Sequence, residues 1–367
     1  MQEKHILLYT PSLHTGGGTE RVLVNLANAL QERGFAVTIL TNKQGSSNLY
    51  QLHPGIQTAL FGFAALRDRH PRNLLFKIIN KLLGPALLTR FLRKQVRRST
   101  RWILGFSPDI TNDCFRTPYR EKLIAFEHFP FEHYNRFAKA QQQIRRNFPQ
   151  LKHVVVLTEH EKNVYEGLGC RVTKIPNSYP FEPGTPAALE NKIVLSVGHF
   201  NQQKRRDLLV EAWSAVHRRH PDWQLHIVGK GPDLPAVQEQ IKRLGLMDSI
   251  RIIEPTRAIQ THYQQASVFV LSSAFESFSL VLLEARICGV PCVSFDVVCG
   301  PNELITQEQD GFLVRFPDTA AMAQAICQLV EDSQLRITFG ARSREDAIRR
   351  YHPDAIYQQW ENLLGQP

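Results

Sequence analysis

Ala266-Ser267-Val268-Phe269-Val270-Leu271-Ser272-Ser273-Ala274-Phe275-Glu276-Ser277-Phe278-Ser279-Leu280-Val281-Leu282-Leu283-Glu284-Ala285 decides the reading of this chain. The β-branched and aromatic run 266–271 has strand length, and after Glu276 the apolar residues Phe278, Val281, Leu282 and Ala285 recur at helical spacing. The pattern predicts strand, tight turn, helix. Serines at the turn can cap exposed N–H groups, so Ser277, Phe278 and Ser279 are expected to aim backbone donors beyond the strand, where a phosphate fits. Glu276 and Glu284 lie eight positions apart, about two helical turns. With both on one flank they would face one extended ligand about as long as a nucleotide-sugar, a sugar at one end and a ribose at the other; the alternative is two solvated helix glutamates.

Outward from this stretch, the strand–helix alternation fills the chain. Lys4 to Thr10 reads as a first strand, followed by Gly16-Gly17-Gly18 and a helix with Thr19 as its expected N-cap. Glycines there permit close backbone approach to an anion. Further strands are expected at 35–41, 109–113, 122–126, 153–157 and 171–175. Pro176 to Pro186, rich in proline and turn residues, marks the domain boundary. Beyond it come strands at 193–198, 224–229 and 250–253, with helices at 206–217 and 234–244, then the organising stretch. Helices are expected over 319–351 and 354–364. Such alternation implies parallel sheets covered by helices, with ligands at the carboxyl ends of the strands.

A composition of 43% hydrophobic and 21% charged residues is that of a globular protein with room for two cores in 367 residues. No window reaches the roughly 20 apolar residues of a membrane span, and the polar start Met1-Gln2-Glu3-Lys4 is unlike a signal peptide. The six cysteines lack zinc spacing and are expected as reduced core residues of a cytoplasmic protein. The net charge of +10 is local: residues 67–101 carry eleven Lys or Arg against Asp68, and the remainder balances. Apolar residues recur among these charges on either side of Gly84-Pro85, predicting a pair of basic amphipathic helices. Each basic group near an anionic bilayer contributes roughly 1 kcal/mol, so the segment is expected to dock on the inner face of a cell membrane, the alternative being a solvated helix face. Few aromatics interleave with the charges, which disfavours nucleic acid.

The run from Glu276 through Glu284 to Cys288-Gly289-Val290-Pro291 resembles the signature of family 4 retaining glycosyltransferases, and Gly17-Gly18-Thr19-Glu20-Arg21-Val22-Leu23 lies in a stretch similar to that family's N-terminal glycine loop. The resemblance implies an α/β protein of two Rossmann-like doubly wound parallel-sheet domains facing across a cleft, the GT-B fold. Residues 1–176 would form the acceptor-side domain, 177–350 the nucleotide-sugar domain, and 351–367 a helix crossing back to the first. It places Gly17 and Gly18 beside the donor phosphates and His128 near the transferred sugar. Val197 to Lys204 is similar to the diphosphate-binding loop, with Lys204 matching its lysine. His199 stands where the family has arginine, and Arg205 where glycine usually follows the lysine. A histidine titrates near neutrality, so Arg205 becomes a candidate phosphate cation.

The expected activity is hexosyl transfer with retention, from a nucleotide diphosphate sugar (UDP ahead of GDP) to a hydroxyl of a membrane-associated saccharide in polysaccharide, lipopolysaccharide or glycolipid synthesis. Glu276, His128 and Lys204 are the expected catalytic residues. Gly17, Gly18, His199, Lys204, Arg205, Ser277, Phe278, Ser279 and Glu284 are the expected donor-binding set. The chain has no Asp-x-Asp, so neither an obligatory metal nor a cofactor is expected. A nucleotide-sugar epimerase on the same fold and a non-catalytic membrane or polyanion-binding scaffold are the alternatives. A two-carboxylate glycoside hydrolase fits less well, because both glutamates are expected on one element and could not easily straddle a bond.

Overall fold

The structure, a computed structural model, describes residues 4–13, 17–43, 50–62 and 74–365. The chain divides into two compact units, Met1–Asn177 with Asp354–Pro367, and Ser178–Pro353.

The first unit is built on seven parallel strands: β1 (Lys4–Thr10), β2 (Phe35–Thr41), β3 (Gln57–Leu60), β4 (Thr100–Gly105), β5 (Leu123–Phe126), β6 (His153–Val156) and β7 (Val172–Lys174). Their order is β3-β2-β1-β4-β5-β6-β7. β1 is buried from His5 to Thr10, which is why it reads as a continuous apolar run and not as an alternation. The helices are α1 (Gly18–Glu32), α2 (Leu74–Gln95), α3 (Pro108–Phe115), α4 (Ala138–Asn147) and α5 (Glu159–Gly167). The second unit holds six parallel strands, β8 (Ile193–Val197), β9 (Gln224–Val228), β10 (Ile250–Ile253), β11 (Val268–Leu271), β12 (Cys292–Asp296) and β13 (Gly311–Arg315), in the order β10-β9-β8-β11-β12-β13. Its helices are α6 (Arg206–Arg219), α7 (Leu234–Arg243), α8 (Ile259–Gln265), α9 (Leu280–Ile287), α10 (Pro301–Leu304), α11 (Thr319–Glu331) and α12 (Ser333–Arg350). The last helix, α13 (Pro353–Gly365), packs with the first unit: Trp102 Nε1 donates to Leu364 O at 3.1 Å, and Trp360 meets Phe126 edge-on at 4.8 Å.

In both sheets the winding reverses beside the first strand of the unit. The chain moves outward from β8 through β9 to β10, then returns to start again at β11 on the other side. The loops leaving β8 and β11 therefore diverge at a switch point and leave a crevice at the carboxyl ends of these two neighbours. In the first unit the corresponding neighbours are β1 and β4.

Several local expectations need correction. Residues 109–113 are helical: Ser107 Oγ accepts from Ile110 N and Pro108 occupies the first turn, an N-terminal signal that outweighs the short apolar pattern. The strand beside β1 is instead Thr100–Gly105, which starts at the end of the basic segment. The expected helix pair is one helix, α2, with Pro85 inside it. An interior proline costs about 3 kcal/mol, and the burial of Leu88 and Leu92 after it offsets this at a few kcal/mol between them. Thr19 is not the cap of α1; Gly17 is, with no side-chain cap bond. Residues 319–351 form two helices, α11 and α12, divided at Asp332, whose side chain caps the second. Gly16, Arg67, Arg69 and Arg72 lie outside the described residues, as do the side chains of Lys77 and Lys81. The six cysteines are buried free thiols, and among the described residues no helix is long and apolar enough to cross a membrane.

Candidate active site

The loop from β8 into α6 and the loop from β11 into α9 are tied together at the switch point. Ala274 N donates to Gln203 O at 2.8 Å, Gln203 Nε2 to Phe275 O at 3.0 Å, and Ser272 Oγ to Lys204 O at 2.7 Å. These bonds hold the two loops in register, and Lys204 Nζ consequently meets Glu276 Oε1 at 2.6 Å. Both side chains are largely buried, 14% and 7% exposed, so screening by solvent is reduced and each fixes the other's position. On the far side of Glu276, Gly300 has φ +88° and a Cβ there would stand 2.9 Å from the Glu276 Cβ. Only glycine allows the chain after β12 to come this close, and Cys299 Sγ donates to Glu276 O at 3.0 Å.

Glu276 to Ser279 is not helical; α9 begins at Leu280 with Ser279 as N-cap at φ +62°. The two glutamates therefore lie on different elements, Glu276 in the loop and Glu284 inside α9. Glu284 is 2% exposed and accepts from Tyr263 Oη at 2.8 Å, which anchors it to α8. Phe278 differs from expectation as a side chain: it is buried edge-on against Tyr351 at 5.3 Å, leaving only its backbone to a ligand. Ser279 Oγ and Ser273 Oγ are buried without a hydrogen-bond partner. Buried hydroxyls are rarely left so; Ser279 is the N-cap residue of a helix that has no side-chain cap, and Ser273 lies at the start of the loop leading to it.

Arg205, the candidate phosphate cation of the sequence, already has an anionic partner two residues away. Its guanidinium is bidentate with Asp207, Nε to Oδ1 at 2.9 Å and Nη2 to Oδ2 at 2.7 Å. Its backbone has φ +44° as N-cap of α6, the left-handed conformation in which glycine is unstrained. His199 is half-buried in the loop beside Gly198. Arg206, Tyr263 and Ser273 were missed by sequence reasoning. For Arg206 the signal was available: it is the third cation of Lys204-Arg205-Arg206 and the first residue of a helix.

In the first unit, His128 follows β5 and is 9% exposed, stacked on Phe106 at 5.2 Å and beside Phe126 at 4.1 Å. Burial lowers its pKa to about 3, so the imidazole is neutral at pH 7, and its Nε2 has no partner. Next to it Glu127 is pushed up to about 8 by burial, against the hydrogen bond from Tyr134 Oη at 3.2 Å. Gly17 and Gly18 sit at the start of α1, on the other side of β4 from β5.

A family profile described as "Glycosyltransferase Family 4" matches residues 16–182, and one described as "Glycosyl transferases group 1" matches residues 181–346. The chain belongs to the family 4 glycosyltransferases. An uncharacterized glycosyltransferase of Haemophilus influenzae is 27% identical over 371 residues, covering 98% of this chain and 100% of the relative. The amylovoran biosynthesis glycosyltransferase AmsD of Erwinia amylovora is 25% identical over 387 residues, covering 98% and 99%. A TarM variant from Staphylococcus aureus, solved with fondaparinux, alpha-GlcNAc-glycerol and UDP, superposes with a TM-score of 0.83 at 17% identity, over 99% of this chain and 100% of TarM. This glycosyltransferase has the GT-B fold.

Proposed function

We propose that this glycosyltransferase moves a hexosyl group, with retention, from a UDP-sugar to a hydroxyl of a membrane-associated saccharide during polysaccharide, lipopolysaccharide or glycolipid synthesis. The observation that carries the reading is the Lys204–Glu276 contact at the switch point, beside the N-terminus of α9. As the bond from the anomeric carbon to the diphosphate breaks, negative charge grows on the leaving oxygens. Lys204 and the N–H groups of Ser277 to Ser279 would meet that charge with donors already in place. Glu276, released from Lys204 by the incoming diphosphate, would orient the sugar hydroxyls. Glu284, fixed by Tyr263, would hold the ribose. No metal is required in this scheme. His199, in the loop that leaves β8, would be a further donor to the phosphates. In the first unit neutral His128 offers one ring nitrogen to a sugar hydroxyl, and the glycine start of α1 offers uncapped N–H groups to an anion.

The relatives support the class of product: AmsD is named for amylovoran biosynthesis, and the TarM complex contains UDP and a glycan. The membrane-facing acceptor is supported by the charged end of α2, where Arg90, Arg93 and Lys94 are exposed at helical spacing, with Arg97 exposed just beyond it. Peripheral placement on the inner face of the membrane is part of the same reading.

The test is sugar transfer with the wild type and with folded Glu276→Ala and Lys204→Ala. Each variant should lose about 100-fold or more in kcat, EDTA should leave the wild type unchanged, and the rate should show no inflection near pH 6.5 from His128. Turnover near normal in both variants removes the assignment; donor consumed without acceptor marks an epimerase instead.

A further inference from the structure

Arg206 is the first residue of α6, and its side chain is carried beneath the loop that leaves β8. It is 2% exposed. Nη1 donates to Ser196 Oγ at 2.5 Å, and Ser196 Oγ donates in turn to Val270 O at 2.6 Å, so one corner of the guanidinium is locked between β8 and β11. The other corner is not: Nε and Nη2 are buried with no hydrogen-bond partner. Among the described residues Arg206 makes no salt bridge, although Arg286, equally buried, pairs with both Asp310 and Asp346. A buried charge is costly unless paired and hydrogen-bonded. The guanidinium lies over the Phe200 ring at 5.9 Å and feels the Glu276 carboxylate through space, but no anion is within hydrogen-bond reach of its free corner among the described residues.

The unpaired corner faces the diphosphate loop. A Cβ built on Gly198 would lie 3.0 Å from Arg206 Nη2 and 3.3 Å from Lys204 Cε, so the two cations converge on one glycine at the carboxyl end of β8. Gly198 has φ +139°, and any side chain there would intrude on Nη2. Burial lowers the pKa of Arg206 to about 10, opposed by the carboxylate of Glu276, and at that value the group stays charged at neutral pH. Position 199, directly after this glycine, holds a histidine in place of a permanently charged side chain.

We propose that Arg206 is the buried counter-charge for the donor's diphosphate, a positioning residue that acts from beneath Gly198 and adds a permanent positive charge to a loop whose position 199 is a histidine. This rests on the function proposed above. Arg206 stays behind the loop; its charge acts on Glu276 through space, and its unpartnered N–H groups lie against Gly198 and Lys204, where the field of a diphosphate would complete the arrangement. It therefore sets the preference for a diphosphate over an uncharged nucleoside, and contributes little to recognition of the base and ribose.

Calorimetric titration of the full chain with UDP and with uridine, at low and at physiological salt, tests this. The wild type should prefer UDP to uridine. Arg206→Gln should lose UDP affinity by about tenfold or more while uridine affinity changes less than about twofold. Arg206→Lys should retain most of the preference, and His199→Arg in the Arg206→Gln background should restore it. A purely structural arginine would lower thermal stability and leave the UDP-to-uridine ratio unchanged, and that result in folded Arg206→Gln overturns the proposal. Should Arg206→Gln not be recovered folded, the double variant decides: a UDP preference supports the proposal and its loss overturns it. A wild type that does not prefer UDP sinks the functional reading itself, and this inference with it.

Discussion

Lys204 and Glu276 are 72 positions apart in the chain, yet their side chains touch at 2.6 Å. No spacing rule brings them together; the resemblance to family 4 marked each separately, and the bonds among Gln203, Phe275 and Ser272 join them. The sequence could not tell which of two adjacent arginines turns inward. Arg205 occupies a left-handed N-cap and pairs with Asp207, whereas Arg206, one residue later in helical conformation, is drawn under the loop. The left-handed backbone also explains why glycine suits position 205. A non-glycine residue there costs about 1–2 kcal/mol, while a half-exposed pair such as Arg205–Asp207 contributes about 0–1 kcal/mol. Arg205→Gly is therefore expected to stabilise the protein by up to about 1 kcal/mol, raising Tm by about 2–4 °C. A fall in Tm on thermal denaturation would show that the Asp207 pair outweighs the strain.

Elements with strong internal signals were readable: β1, β8, β9 and β11 are buried apolar runs, and α1, α6 and α7 carry an apolar stripe. The strand β4 was hidden because Arg101 and the neighbouring charges mask a short core run, Trp102 to Leu104, that is buried only after β1 and β5 flank it. Pro85 suggested a break in α2 because the propensity rule knows nothing of the core that Leu88 and Leu92 enter. With Leu88 and Leu92 packed in the first unit, Arg90, Arg93 and Lys94 leave a charged face at the end of α2 for surface attraction. Binding to anionic vesicles should therefore be salt-sensitive. Replacing Arg93, Lys94, Arg97 and Arg98 with Gln is expected to abolish sedimentation with phosphatidylserine-containing vesicles at low salt. Unchanged sedimentation would assign these charges to solvation alone.

At the scale of the molecule, two parallel sheets with reversed winding place their functional loops at switch points, and this much followed from strand–helix alternation. The orphaned Ser273 and Ser279 hydroxyls, the unpaired corner of Arg206 and the free Nε2 of His128 could be seen only once the chain was folded, because each is defined by what fails to surround it. Three of the four cluster at the β8–β11 switch point, where a polar ligand would satisfy them. The most direct measurement is a crystal structure of the protein with UDP. The account predicts diphosphate oxygens about 2.7–3.2 Å from Lys204 Nζ and from N–H groups of Ser277 to Ser279, ribose hydroxyls on Glu284, and Lys204 drawn off Glu276. UDP bound away from the loops that leave β8 and β11, with the Lys204–Glu276 contact intact, would contradict it.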